Sequence, residues 1–181
     1  MTDFRTKEFN GTILALDTAS KKTGYAVYKK GRIIKSGTWK LKPEKKYSML
    51  LDKLEQTIKR YGITLIVAED IYQSKDKRNA YEILCKCQCI VEIMSERYNI
   101  PLSTGFNPIR VKQHIWRYNP YNEIHKKLTR TEHKERMIKA ITNLGYKLET
   151  ENADDEADAI GLLITYVGSY KYEMMHPAKP Q

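Results

Sequence analysis

Thr12-Ile13-Leu14-Ala15-Leu16-Asp17-Thr18-Ala19-Ser20-Lys21-Lys22-Thr23-Gly24-Tyr25-Ala26-Val27-Tyr28 decides how the chain reads. The apolar run Thr12 to Leu16 predicts a strand, closed by a carboxylate at Asp17. Gly24 to Tyr28 predicts a second strand, and Ile33 to Trp39 a third, with Lys30-Gly31 as the turn between them. Strands joined by short turns predict an antiparallel meander.

Downstream the apolar period changes from two to that of a helix. Pro43 opens a helix with Tyr47, Leu50, Leu51, Leu54, Ile58 and Tyr61 on one face, and Gly62 ends it. Leu65 to Ala68 is apolar on both faces, which predicts a buried, parallel strand closing at Glu69 and Asp70. Arg78 to Tyr98 predicts a long helix whose wide apolar face can serve both a core and a partner subunit. Pro101 to Thr104 predicts a brief strand, Asn107-Pro108 to about Trp116 a helix, and Arg117 to Arg130 a loop. Helices then follow over Glu132 to Leu144 and Ala153 to Tyr166. Residues 1–170 form one α/β domain in this reading, with 171–181 as a flexible tail.

Composition narrows the function. The 32 Lys plus Arg against 22 Asp plus Glu give a net charge of +10, which points to a polyanionic partner such as nucleic acid. No run reaches the roughly 18 apolar residues of a membrane span. Met1 to Asn10 is too polar for a signal peptide. Cys85, Cys87 and Cys89 form no disulfide framework or zinc pattern; they read as free thiols in a reducing cytoplasm. His114, His125, His133 and His176 have no acid–base partner in sequence, so a serine or cysteine nucleophile is poorly supported.

The acids are placed where elements end. Asp17 closes the first strand and Glu69 the fourth, while Asp154, Asp155, Glu156 and Asp158 open the last helix. Asp155 and Asp158 are three apart and share a helical face; Asp154 and Asp158, four apart, share one nearly as well. Carboxylates converging from two strand ends and a helix start make a hard, oxygen-rich site suited to Mg²⁺ or Mn²⁺. Two such ions can clamp the attacking and leaving oxygens of a phosphodiester. The structural alternative is that acids in a first helical turn favour the helix dipole. That covers Asp154, Asp155 and Glu156, but not Asp158, which precedes the apolar run Ala159 to Leu163.

Ile13 to Tyr28 resembles the opening of the RuvC family of Holliday-junction resolvases. Ile66-Val67-Ala68-Glu69 resembles that family's second element, and Asp155-Glu156-Ala157-Asp158-Ala159 its third, in the same order. The resemblance, over roughly residues 12 to 168, implies an RNase H-like fold, a mixed five-stranded sheet flanked by helices. It implies that Asp17, Glu69, Asp155 and Asp158 are catalytic and hold Mg²⁺ or Mn²⁺, two per active site. It implies a homodimer through the 78–98 helix that nicks a four-way DNA junction symmetrically. Tyr72 matches an aromatic that stacks on junction bases, and Lys112 and Lys134 match phosphate-region lysines. The stretch 116–131 departs from the family by its length. Its Arg117, Lys126, Lys127 and Arg130 suit DNA contact, and broaden the expected substrates to other branched DNA such as forks. Lys-rich composition and divergence hint at a bacterial phage or another mobile element. Two alternatives stay open: an RNase H-type or YqgF-type nuclease acting on RNA, and a non-catalytic junction-binding protein.

Overall fold

The computed structural model describes residues 11–19, 21–71, 78–117, 129–150 and 153–175. The meander is β1 (Thr12–Thr18), β2 (Lys22–Lys29) and β3 (Arg32–Lys40). A 3₁₀ turn at Pro43–Lys45 leads into α1 (Lys46–Tyr61), then β4 (Leu65–Glu69), α2 (Arg78–Tyr98) and β5 (Leu102–Phe106). The chain finishes with α3 (Pro108–Arg117), α4 (Arg130–Asn143) and α5 (Asp154–Met175). The strands form one mixed sheet in the order β3-β2-β1-β4-β5, flanked by helices as expected. β1 runs antiparallel to β2 and parallel to β4, which in turn runs parallel to β5.

Strand alternation divides the core in two. Ile13 and Ala15 of β1 and Leu65 and Val67 of β4 pack with Val111 and Ile115 of α3, Met137 and Ile141 of α4, and Ile160 of α5. Leu14, Leu16 and Ile66 face the other way, onto Leu50 and Leu54 of α1 and Cys87, Val91 and Met94 of α2. Successive strand residues point to opposite faces, so every second residue shares a face. Asp17 follows Ile13 and Ala15, and Glu69 follows Leu65 and Val67. Both acids therefore fall on the face that carries α3, α4 and α5.

Local chemistry sets the boundaries. Gly62 ends α1 in the left-handed region at φ 62°, and its N–H donates to the Ile58 carbonyl at 3.0 Å. β5 is displaced from the expected 101–104, because its register with β4 shifts between Val67 and Glu69. Gly105, at φ 96°, absorbs that bulge. α4 begins at Arg130, inside the stretch predicted as loop, because Thr129 and Glu132 form a reciprocal capping box. α5 continues past the expected Tyr166 to Met175, so Lys171–Met175 extend a helix instead of starting a tail. Residues 176–181 lie outside the described residues. The cysteines are free thiols, with Cys87 buried, Cys85 half-buried and Cys89 exposed. Among the described residues no helix is long and apolar enough to cross a membrane.

The start of α5 lies hard against β2. A Cβ on Gly24 would sit 1.8 Å from the Asp155 carbonyl oxygen and 2.4 Å from its carbon. Only a glycine lets the strand and the helix backbone meet this closely. Gly24→Ala is expected to cost about 2–3 kcal/mol through overpacking, read as a lowered thermal midpoint. An unchanged midpoint would contradict the close approach.

Candidate active site

The parallel register brings two carboxylates side by side. β1 and β4 pair Leu16 with Ala68, so the next residues, Asp17 and Glu69, lie abreast at the strands' carboxyl ends. α5 crosses the same face from its amino end, where Asp155 and Asp158 lie three residues apart on the helix surface. Lys112 of α3 completes the group, and its charge acts on Asp17, Glu69 and Asp158.

The acids act on one another electrostatically. Desolvation pushes Asp17 well above its ordinary value of 3.8, and repulsion from Glu69, Asp158 and Asp155 adds to it. Desolvation lifts Glu69 from 4.5 to about 8, with Asp158 contributing and Lys112 opposing. Desolvation also raises Asp158 from 3.8 to about 6; Lys112 opposes, while Asp155 and Asp154 add. Asp155 is raised by burial and by Asp154, against the pull of Lys22. Asp17 keeps a partly open face, yet protein makes up most of its surroundings. Like charges share a site in this way only at a cost.

The neighbouring acids are otherwise engaged. Asp70 accepts from the Gly105 N–H at 2.7 Å and steadies the β5 bulge. Asp154 pairs with Lys134, and although burial raises its pKa, that lysine outweighs it and holds the carboxyl below its usual value. Glu156 is fully buried and accepts from Ser36, Glu149 and Thr150. By contrast, Asp155 Oδ2 and Asp158 Oδ1 are buried without a hydrogen-bond partner. Asp155 Oδ2 lies 3.7 Å from Lys22 Nζ, beyond hydrogen-bond reach. Asp70 and Asp154 are thus engaged elsewhere, while Asp155 Oδ2 and Asp158 Oδ1 have no hydrogen-bond partner.

Of the other sequence-predicted residues, Lys134 lies beside the acids, and its charge acts on Asp155 and Asp158. Lys134 sits in α4 with its ammonium taken up by Asp154. Arg117 ends α3, with its side chain outside the described part, and Arg130 is exposed at the first turn of α4. Tyr72, Lys126 and Lys127 lie outside the described residues. Lys22 and Glu156 were not singled out as site residues from sequence. Lys22 sits in a polar run with nothing to mark it, and Glu156 looks like one more first-turn acid. The described histidines stand apart from the acids: His133 stacks on Trp116 at 5.4 Å, and His114 lies against α5 at Gly168.

Buried carboxylate oxygens with no hydrogen-bond partner, in an all-oxygen donor set, fit a hard divalent cation. Among the described residues no three His, Cys, Asp or Glu side chains converge closely enough to chelate one ion as they stand. The acids are near enough to repel, and a cation between them would remove that repulsion.

No protein-family model matches the chain, and no curated protein sequence does either. Solved structures do match. Thermus thermophilus RuvC bound to a Holliday junction substrate aligns at 14% identity and TM-score 0.64, covering 94% of this chain and 99% of that one. The fold is RuvC-like. The yeast mitochondrial Holliday junction resolvase Ydc2 aligns at 14% identity and TM-score 0.56, over 93% of this chain and 82% of its own. The fowlpox virus resolvase, solved with Holliday junction DNA, aligns at 14% and 0.52, over 88% and 98%.

A carboxyl whose folded pKa lies above its unfolded value costs stability once pH passes the unfolded value, and the cost grows until the folded pKa is reached. Glu69 moves from 4.5 to about 8 and Asp158 from 3.8 to about 6, so metal-free protein is expected to lose stability between those limits as pH rises. Asp158→Asn removes one of the repelling charges. It is expected to raise the metal-free thermal midpoint at pH 8, and a fall in that midpoint would count against the repulsion.

Proposed function

We propose that the protein is a divalent-metal endonuclease that resolves four-way DNA junctions and acts on other branched DNA. The observation that carries this reading is the gathering of Asp17, Glu69, Asp155 and Asp158 on one face of a RuvC-like sheet, beside Lys112. The net charge of +10 supports a polyanionic substrate. Acids this close to a phosphate backbone would repel it unless their charge were offset, which favours a metal-dependent enzyme over a simple binding protein.

Asp17, Glu69, Asp155 and Asp158 would hold Mg²⁺ or Mn²⁺, two ions per site. Ions bound there would supply Lewis-acid chemistry, acidifying water and offsetting the charge that builds on phosphorus. The chain's own residues do the rest. The carboxylates, at strand ends and on a helix, fix where the phosphodiester must lie. Lys112 places an ammonium on the same face, where it can meet a phosphate oxygen. Lys134 and Lys22 restrain the acids at the start of α5. Water adds to phosphorus as the P–O3′ bond breaks, and a proton passes to the leaving oxygen, so a 5′-phosphate and a 3′-hydroxyl remain that a ligase can rejoin.

Two symmetric nicks need two sites, and a homodimer through α2 supplies them. Ile93 on α2 is 51% exposed, an apolar side chain available to a second copy. Free thiols fit a reducing cytoplasm in a bacterial or phage-infected cell.

The test is a cleavage panel with Mg²⁺ over a four-way junction, a fork, an RNA–DNA hybrid and single-stranded RNA, with nick positions mapped. Paired nicks in the junction are expected. Asp17→Asn is expected to keep junction binding while losing cleavage by about 10³-fold or more, as when charge stabilisation at phosphorus is removed. Preference for hybrid or RNA, or normal cleavage by Asp17→Asn, would overturn the reading.

A further inference from the structure

Glu156 is a carboxyl group that the proposed reaction does not use. It lies between Asp155 and Asp158 in the first turn of α5, and none of it is exposed. Ser36 Oγ of β3 donates to its Oε1 at 2.6 Å. The Glu149 N–H donates to Oε1 at 3.0 Å and to Oε2 at 3.2 Å. Thr150 donates to Oε2 twice, from its N–H at 2.9 Å and its hydroxyl at 2.5 Å. One carboxylate thus ties together β3, the chain before α5 and α5 itself.

This arrangement has a geometric consequence. Helix residues step by about 100°, so Glu156 projects about 100° from Asp155 and about 160° from Asp158. A side chain held by donors from two directions fixes how the helix is rotated about its axis. Gly24 against the Asp155 carbonyl fixes how close the helix comes to the sheet. Rotation and distance together determine where Asp155 and Asp158 point. The Glu149 and Thr150 N–H groups can only donate, one to each oxygen, so both oxygens must accept, whereas an amide would turn its NH₂ toward one of these donors. An apolar side chain could fill the same space without adding a negative charge beside acids that already repel.

We propose that Glu156 is a positioning residue: by anchoring the first turn of α5 to Ser36, Glu149 and Thr150, it aims Asp155 and Asp158 at Asp17 and Glu69. This rests on the metal-dependent nuclease reading above. Its test compares Glu156→Gln and Ser36→Ala with Leu54→Ala, a core truncation on the opposite face of the sheet that lowers stability without touching α5. Mn²⁺ affinity is read from the free-ion EPR signal, and kcat and KM from junction cleavage, well below every variant's melting temperature. Glu156→Gln is expected to weaken Mn²⁺ binding by about tenfold or more, and to lower kcat with KM unchanged. Ser36→Ala shifts both in the same direction by less, and decides the matter if Glu156→Gln does not fold. Leu54→Ala melts earlier yet keeps Mn²⁺ affinity within about twofold, well short of the effect at a residue that orients ligands.

Wild-type Mn²⁺ affinity and kcat in both Glu156→Gln and Ser36→Ala would overturn the proposal. So would an equal loss of Mn²⁺ affinity in Leu54→Ala, or wild-type protein that binds no Mn²⁺. Wild-type protein that binds Mn²⁺ but cuts no branched DNA overturns the nuclease reading alone, and the Mn²⁺ comparison still decides Glu156.

Discussion

Repulsion among carboxylates at the ends of β1 and β4 is the constraint around which this molecule is arranged. Asp17, Glu69 and Asp158 are each raised by burial and by one another's charge or that of nearby acids. Nothing about such a group is favourable by itself, so the surrounding fold must hold it. The parallel pairing of β1 with β4 sets Asp17 abreast of Glu69. Gly24 admits the α5 backbone to the sheet, and Lys112 offers a partial counter-charge from α3. Stability given up at one place in this way is a familiar mark of a functional site.

The lysines around the acids give a basic chain its local order. Lys134 pairs with Asp154, Lys22 approaches Asp155, and Lys112 acts on the inner acids. A net charge of +10 draws a polyanion to the chain, while the clustered acids repel its phosphates unless their charge is offset.

Much of the architecture was legible because it is local. The apolar run from Thr12 to Leu16, the turn at Lys30-Gly31 and the Gly62 helix stop are all short-range signals, and the structure has each of them. The acids at element ends were legible too, as positions. Their meeting was not. It depends on a β1–β4 register across some fifty residues, from Leu16 to Ala68, and on where α5 lands. Glu156 was hidden for a related reason: its partners come from β3 and from residues 149 and 150, while its sequence neighbours make it look like a helix-dipole acid. Only the family resemblance separated Glu69 from Asp70 in the sequence, and the hydrogen bond of Asp70 to the Gly105 N–H depends on the β5 bulge. The capping box at Thr129 and Glu132 was local and readable, and passed unnoticed inside a stretch that its basic and aromatic residues marked as loop.

The central claim is that these four acids form one cation site. Anomalous X-ray diffraction from crystals of the wild-type protein grown with Mn²⁺ tests it most directly. The account expects anomalous peaks about 2.0–2.2 Å from carboxylate oxygens of Asp17, Glu69, Asp155 and Asp158, as hard-cation coordination requires. Mn²⁺ bound elsewhere on the protein, with these four side chains unligated, would contradict it.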